Sequence, residues 1–206
     1  MGELFVVNGP DGSGKSQLLR NVKDKMEDMI FFNNNDIYIT KEPGFTNIGK
    51  EIRKLLLDPD KNLAGLTEAF LFLADRAQHI EKYLRPRLEE KNSIVLCDRY
   101  WECSLVYQSL QKEIIKYDDM IYLHEKILDY IKPKLMFIID SDTPHNLKGD
   151  KHDKLGKKFR DNIAKHYRSL IELDYIDYPI EYINTTDKKW SKYKNRIINL
   201  IKKKYF

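Results

Sequence analysis

Residues 9–16 read GPDGSGKS, and this run constrains the fold of the chain more than any other feature. It fits G-x-x-x-x-G-K-[ST] and stands between an apolar run, residues 4–8, and an amphipathic segment that begins at Ser16. Gly9, Gly12 and Gly14 permit backbone angles closed to other residues, so successive N–H groups can point at one anion. The positive end of the following helix adds to that field. A glycine-rich turn of this kind between a strand and a helix calls for an α/β fold with phosphate bound at the turn.

The rest of the chain keeps the alternation. Short runs rich in β-branched and aromatic residues predict strands at 4–8, 37–40, 93–97, 135–140 and 180–184. Helical periodicity fills 16–29, 48–57, 67–90, 104–111, 118–131, 157–173 and 188–203, with Pro43, Pro59, Pro133 and Pro144 in connections. The expected architecture is a five-stranded parallel sheet with helices on both faces, as in P-loop NTPases. No repeat or linker divides the chain, so residues 1–206 are read as a single domain. Residues 141–157 stand apart because they are polar and carry Gly149, Gly156 and four lysines; a mobile lid and an ordinary surface loop both fit them.

Composition excludes several classes of function. With 42% hydrophobic and 33% charged residues and no apolar run near the ~18 residues of a membrane span, no membrane role is expected. The net charge of +4 does not predict nucleic-acid binding, because the lysines are dispersed and cluster only at Lys202, Lys203 and Lys204. The N-terminus lacks the elements of a secretory signal, which predicts a cytoplasmic protein. In that compartment Cys97 and Cys103 are expected to be buried thiols.

Within the loop, Lys15 is the cation for the β- and γ-phosphates of ATP and the Ser16 hydroxyl is a Mg²⁺ ligand, while Pro10, Asp11 and Ser13 complete the ATP-binding turn. The loop is common to motors, switches, transporters and small-molecule kinases, so the acceptor must be sought elsewhere.

Four further segments narrow the choice: TKEPGFT (40–46), RKLLLDP (53–59), LFLADRAQH (71–79) and DRYWECSLVYQ (98–108). In order and spacing they resemble bacterial thymidylate kinases, closely over roughly the first 140 residues and in outline beyond. The resemblance implies a nucleoside monophosphate kinase with a short lid that moves the γ-phosphoryl of ATP onto dTMP with Mg²⁺ as helper. It also implies a homodimer. Pro43 falls in the acceptor-site motif; Phe72 would stack on thymine, Arg76 would bond its O4, Tyr107 would lie under the deoxyribose, and Asp11 would align the acceptor phosphate or Mg²⁺-bound water. Arg53 would join Arg99 in clamping the monophosphate.

Much of this follows from the residues themselves. Phe72 and Arg76 are four apart on an expected helix, so one face can offer a ring and a guanidinium to the same base. A core phenylalanine and a surface ion pair of Arg76 with Asp75 is the plainer alternative. Asp98 and Arg99 follow the third strand at the carboxyl edge, where open α/β sheets bind ligands. Arg99 suits a phosphate dianion, and Asp98 can orient the cations, reach Mg²⁺ through water, or form a structural salt bridge. Ser104, Tyr107 and Gln108 share one side of the next helix, with Ser104 and Gln108 able to bond a base edge.

The chain departs from its relatives at Lys41 and Phe45, where they carry Arg and Gly, and in a lid with lysines in place of arginines. Lys148, Lys151, Lys154 or Arg160 is therefore expected to meet the charge on the transferring group, and Phe45 to alter acceptor choice. A broader deoxynucleoside monophosphate kinase, a deoxynucleoside kinase and a nucleotide-binding regulatory protein are the competing readings.

Overall fold

Runs of Val, Ile, Leu and Phe form β1 (Glu3–Asn8), β2 (Asp36–Lys41), β3 (Ser93–Asp98), β4 (Leu135–Asp140) and β5 (Ile180–Asn184). In this computed structural model, which describes residues 1–142 and 156–205, the strands are all parallel in the order β2-β3-β1-β4-β5. Each lies within one residue of the strand expected at its place. Residues 143–155 of the 141–157 segment, with Lys148, Lys151 and Lys154, lie outside the described residues.

Parallel strands need crossovers, and helices supply them. They are α1 (Lys15–Glu27), α2 (Asn47–Leu57), α3 (Gly65–His79), α4 (Arg85–Glu89), α5 (Glu102–Ser104), α6 (Tyr117–Tyr122), α7 (Gly156–Ser169) and α8 (Trp190–Tyr205). Three of them run on into the wider π form: Ile80–Leu84 joins α3 to α4, Leu105–Gln111 extends α5, and Leu123–Ile127 extends α6. The single helix expected over 67–90 is thus continuous, but its winding changes. Pro86 has no N–H and in an α-helix would crowd the carbonyl four residues back, and it follows directly on the wider turn, which ends with the Arg85 N–H on the Ile80 carbonyl. The helix expected over 118–131 ends earlier: Asp129 is left-handed at φ 44° and the Tyr130 N–H closes back on the His124 carbonyl at 3.1 Å.

The sheet is buried on both faces. Leu4, Val6, Val95, Cys97, Met136 and Ile138 pack against α3, the α5 extension and α7, whereas Phe5, Val7, Ile94, Leu96, Phe137 and Ile139 pack against α1 and α8. The side-chain period of two sends alternate residues of each strand into different cores, which is why the strands read as continuous apolar runs. Polar residues appear where the strands end, at Asn8, Lys41, Asp98, Asp140 and Asn184. The carboxyl edge therefore collects the chemistry.

Gly9 leaves β1 at φ 140°, and a Cβ there would lie 2.0 Å from the Ile139 carbonyl oxygen. Only glycine lets the loop pass β4 so closely. Among the described residues, no helix is long and apolar enough to cross a membrane.

Phe137 is fully buried in β4. Phe137→Ala is expected to lower the unfolding free energy by about 3–5 kcal/mol through lost burial and an unfilled cavity. Urea unfolding monitored by far-UV circular dichroism measures this.

Candidate active site

Gly14, at φ 86°, caps α1, and a Cβ there would meet the Trp190 ring at 2.5 Å. The turn thus lies against the start of α8. Lys15 folds back into it, donating from Nζ to the Pro10 carbonyl at 2.5 Å and to Ser13 Oγ at 3.4 Å. Burial, then the Arg99 guanidinium, draws the Lys15 ammonium down to about 8, with Asp11 and Asp98 opposing.

The neighbouring strand brings the next groups. β1 and β3 pair with Val7 opposite Asp98, and the Arg99 N–H donates to the Val7 carbonyl at 2.9 Å. Arg99 takes φ 73°, a left-handed conformation that a non-glycine residue holds only under constraint from its surroundings. That conformation turns its guanidinium toward the loop, where Nη1 donates to the Gly9 carbonyl and the Tyr167 hydroxyl, both at 3.1 Å, and Nη2 pairs with Asp11. Burial works against the Arg99 charge, but Asp11 more than offsets it and holds the guanidinium well above its ordinary value. The Tyr107 hydroxyl donates to the other Asp11 oxygen at 3.1 Å.

Ser16 Oγ donates to Asp98 Oδ2 at 2.5 Å, and Asp98 Oδ1 is buried with no hydrogen-bond partner among the described residues. Two adjacent oxygen donors, one with unused acceptor capacity, fit a hard cation such as Mg²⁺. The described residues hold no cluster of three or more His, Cys, Asp or Glu that could bind a metal. A cation here would complete its shell with phosphate and water oxygens, as Mg²⁺ commonly does.

Beside the loop lies a cavity of about 630 Å³, counted to its open mouth. All of the residues expected to bind the acceptor line it: Pro43, Arg53, Phe72, Arg76, Arg99, Ser104, Tyr107 and Gln108, with Asp11 at its boundary with the loop. Cys103 and Ser104 of α5 and Tyr107 and Gln108 of its π extension face the cavity together. Gly44, at φ 94°, is constrained as Gly9 and Gly14 are: a Cβ would come within 2.6 Å of Cδ of Arg53, whose Nη1 donates to the Pro43 carbonyl at 2.9 Å.

Four cavity residues escaped the sequence reading: Glu42, Leu57, Asp75 and Cys103. Glu42 forms the buried ion pair with Arg76, at 2.7 Å from Nε, in place of the Asp75 pair considered from sequence. His79 donates from Nδ1 to the second Glu42 oxygen at 2.8 Å, and its Nε2 lies 2.6 Å from Thr40 Oγ1. Burial raises the Glu42 carboxyl, but Arg76 and His79 overcome it and hold the group below its ordinary value. Asp75 accepts from the Gly44 N–H at 3.0 Å and is pushed up by burial and by Glu42. Arg76 Nη1 donates to Ser104 Oγ at 2.7 Å and to His124 Nε2 at 2.9 Å, and Nη2 donates to the Tyr100 carbonyl at 3.1 Å. Glu42 was visible inside the quoted EPG motif, and only its charge partner was lacking. His124, 48 residues from Arg76, carried no local signal.

Phe45 does not line the cavity; it packs against Tyr83 and His79, with ring centroids 4.3 and 5.7 Å away, because α3 turns its His79 and the following Tyr83 toward the β2 loop. Arg160 stands in α7 beside Phe159, whose ring faces Tyr107 at 6.4 Å.

The family model described as "Thymidylate kinase" matches residues 7–185. The chain is 34% identical over 210 residues to the thymidylate kinase of Caldicellulosiruptor saccharolyticus, covering 98% of this chain and 99% of that one. It is 35% identical over 172 residues to that of Halothermothrix orenii, covering 82% and 80%. Among solved structures, the thymidylate kinase of Ehrlichia chaffeensis superposes with a TM-score of 0.78 at 21% identity, over 97% of this chain and 98% of that one, and shares its fold.

Burial, and then Arg76, pull His124 down to about 3. Because the folded value lies below the unfolded one, the contribution of this histidine to stability is full above about pH 6.5 and is lost as the pH falls toward 3. His124→Gln is expected to flatten the loss between pH 6.5 and 5, read by urea unfolding at each pH.

Proposed function

The chain belongs to the thymidylate kinase family, and from that premise we propose that it transfers the γ-phosphoryl of ATP to dTMP, releasing dTDP and ADP in dTDP biosynthesis. The observation that carries this reading is one cavity that joins a phosphate-binding loop, through Asp11 and Arg99, to an aromatic and a guanidinium suited to a base.

In this reading Lys15 and the loop N–H groups hold the donor phosphates. Arg99 and Arg53 clamp the acceptor phosphate, and Asp11, already bonded to Arg99 and Tyr107, keeps the clamp aligned with the loop. Phe72 stacks on thymine, Arg76 meets O4, Ser104 and Gln108 bond the base edge, and Tyr107 lies under the deoxyribose. An acceptor oxygen bonds to the γ-phosphorus as the bond to the β–γ bridging oxygen breaks and ADP leaves. No general base is required, because that oxygen is ionised near neutral pH. Ser16 and Asp98 would hold Mg²⁺, which when bound neutralises phosphate charge. Arg160 and the 141–157 lysines are assigned the remaining charge on the transferring group. Glu42, paired with both Arg76 and His79, makes a poor base, which favours a monophosphate acceptor over a nucleoside hydroxyl.

The chain is read as one domain that works as a homodimer in the cytoplasm, with Cys97 and Cys103 as free thiols. Ile48 and Leu55 of α2 and Leu66 and Phe70 of α3, two packed helices, expose apolar side chains that a second copy would cover.

ADP release coupled to each deoxynucleoside monophosphate in turn tests the assignment. Turnover is expected to be highest with dTMP, and activity confined to deoxynucleosides would sink it. Arg53→Ala should lower kcat/KM for dTMP by roughly 10- to 150-fold, the cost of a charge-assisted hydrogen bond, with little change in the KM for ATP. Lys15→Ala should abolish nearly all transfer while the thermal melt stays close to that of the parent protein.

A further inference from the structure

His124 is a wholly buried histidine outside the cavity, and no step of phosphoryl transfer calls for it. Both of its nitrogens are nevertheless committed. Nδ1 lies 2.7 Å from the Met120 carbonyl oxygen, which can only accept, so the ring proton is on Nδ1. Nε2, 2.9 Å from Arg76 Nη1, is then a bare acceptor facing a guanidinium, which can only donate. The ring itself packs on Trp101, at 5.2 Å between centroids, and Trp101 is anchored by its indole N–H to Tyr178 at 2.9 Å.

We propose that His124 is a positioning residue for the acceptor base: its neutral imidazole accepts one N–H of Arg76 and so sets the angle at which the guanidinium meets the base edge. The inference rests on reading the cavity as the acceptor site. Its geometric basis is the rigidity of the guanidinium, whose five N–H groups are held in one plane at fixed angles. Glu42, Ser104, His124 and Tyr100 engage four of them, and one N–H on Nη2 has no partner among the described residues. Fixing four donors fixes the direction of the fifth, on a residue that lines the cavity. A single fixed donor favours a carbonyl at that edge over an amino group. Each anchor acts differently. Glu42 neutralises the charge, whereas His124 supplies an acceptor without adding a second carboxylate. A cationic imidazole in its place would set like charges 2.9 Å apart.

Steady-state kinetics with dTMP and dCMP on His124→Leu and His124→Gln test this. Leucine fills the space without an acceptor, while the glutamine amide can accept from Arg76 and donate to Met120. His124→Leu is expected to raise the KM for dTMP about tenfold and to lower the dTMP-over-dCMP preference by a similar factor, with kcat and the KM for ATP changed by less than about threefold. His124→Gln should recover most of both losses. A folded leucine variant with unchanged dTMP KM and preference overturns the proposal, as does an equal rise in both KM values or a glutamine variant as impaired as leucine. Should the leucine variant not fold, long-range proton–nitrogen NMR of the parent protein decides, with the His124 signals identified by their loss in His124→Gln. A protonated Nδ1 and bare Nε2, shifting on addition of dTMP but not of ADP, are expected; the opposite tautomer or an unmoved signal overturns the proposal. Arg53→Ala separates the two levels of the argument. If it leaves dTMP use intact, the cavity reading fails, and if it impairs dTMP use while His124→Leu does not, only the role of His124 fails.

Discussion

The pairing of β1 with β3, with Val7 opposite Asp98, is the constraint on which the rest of the site depends. That register places the residue after β3 beside the loop after β1, and the Arg99 N–H bond to the Val7 carbonyl locks it there. Asp98 then reaches Ser16, and Arg99 reaches Gly9 and Asp11. A slip of one residue would send Asp98 toward the opposite face and bring Cys97 in its place, because side chains alternate along a strand. The apolar residues on both faces oppose such a slip, since each would be delivered to the wrong core. Burial of hydrocarbon thus sets the position of the charges.

The second organising feature is a set of buried charges in the cavity wall. Glu42 and Arg76 are both buried, and bringing either alone out of water would be costly. Their mutual attraction offsets that cost with the help of further partners, His79 on Glu42, and Ser104, His124 and the Tyr100 carbonyl on Arg76, which leave a single Arg76 N–H without a partner among the described residues. Such a network adds less to stability than to uniqueness of geometry, which suits the recognition of a planar base proposed for it. A second network lies beneath it. Asn8 donates to Glu102 at 2.8 Å, accepts from the Tyr100 N–H at 3.1 Å, and so ties the end of β1 to the segment that carries Arg99 and Ser104.

With the exception of Glu42, Leu57, Asp75 and Cys103, the residues that line the cavity were legible in the sequence, as were the phosphate loop and the five strands. Their signals are local: a glycine pattern of fixed length, apolar runs ended by polar residues, and side chains three or four apart on one helix. The wide turns were not legible, because α and π windings bury nearly the same residues and differ only in hydrogen-bond spacing. The segment with Lys148, Lys151 and Lys154 remains an expectation.

What the sequence determined by itself was the class of fold, the glycine-rich turn between β1 and α1, and most of the side chains that line the cavity. What only the tertiary structure decided was which charges neutralise one another. Arg76 might have paired with Asp75 beside it, but it pairs with Glu42, 34 residues away, and leans on His124, 48 residues away in the other direction. Phe45, adjacent to the cavity in sequence, is turned onto Tyr83 and His79 instead. The physical reason is the same in each case. Periodicity records which side of an element faces the interior, whereas the partner met there depends on how separate elements dock, and that is settled by the packing of the whole core.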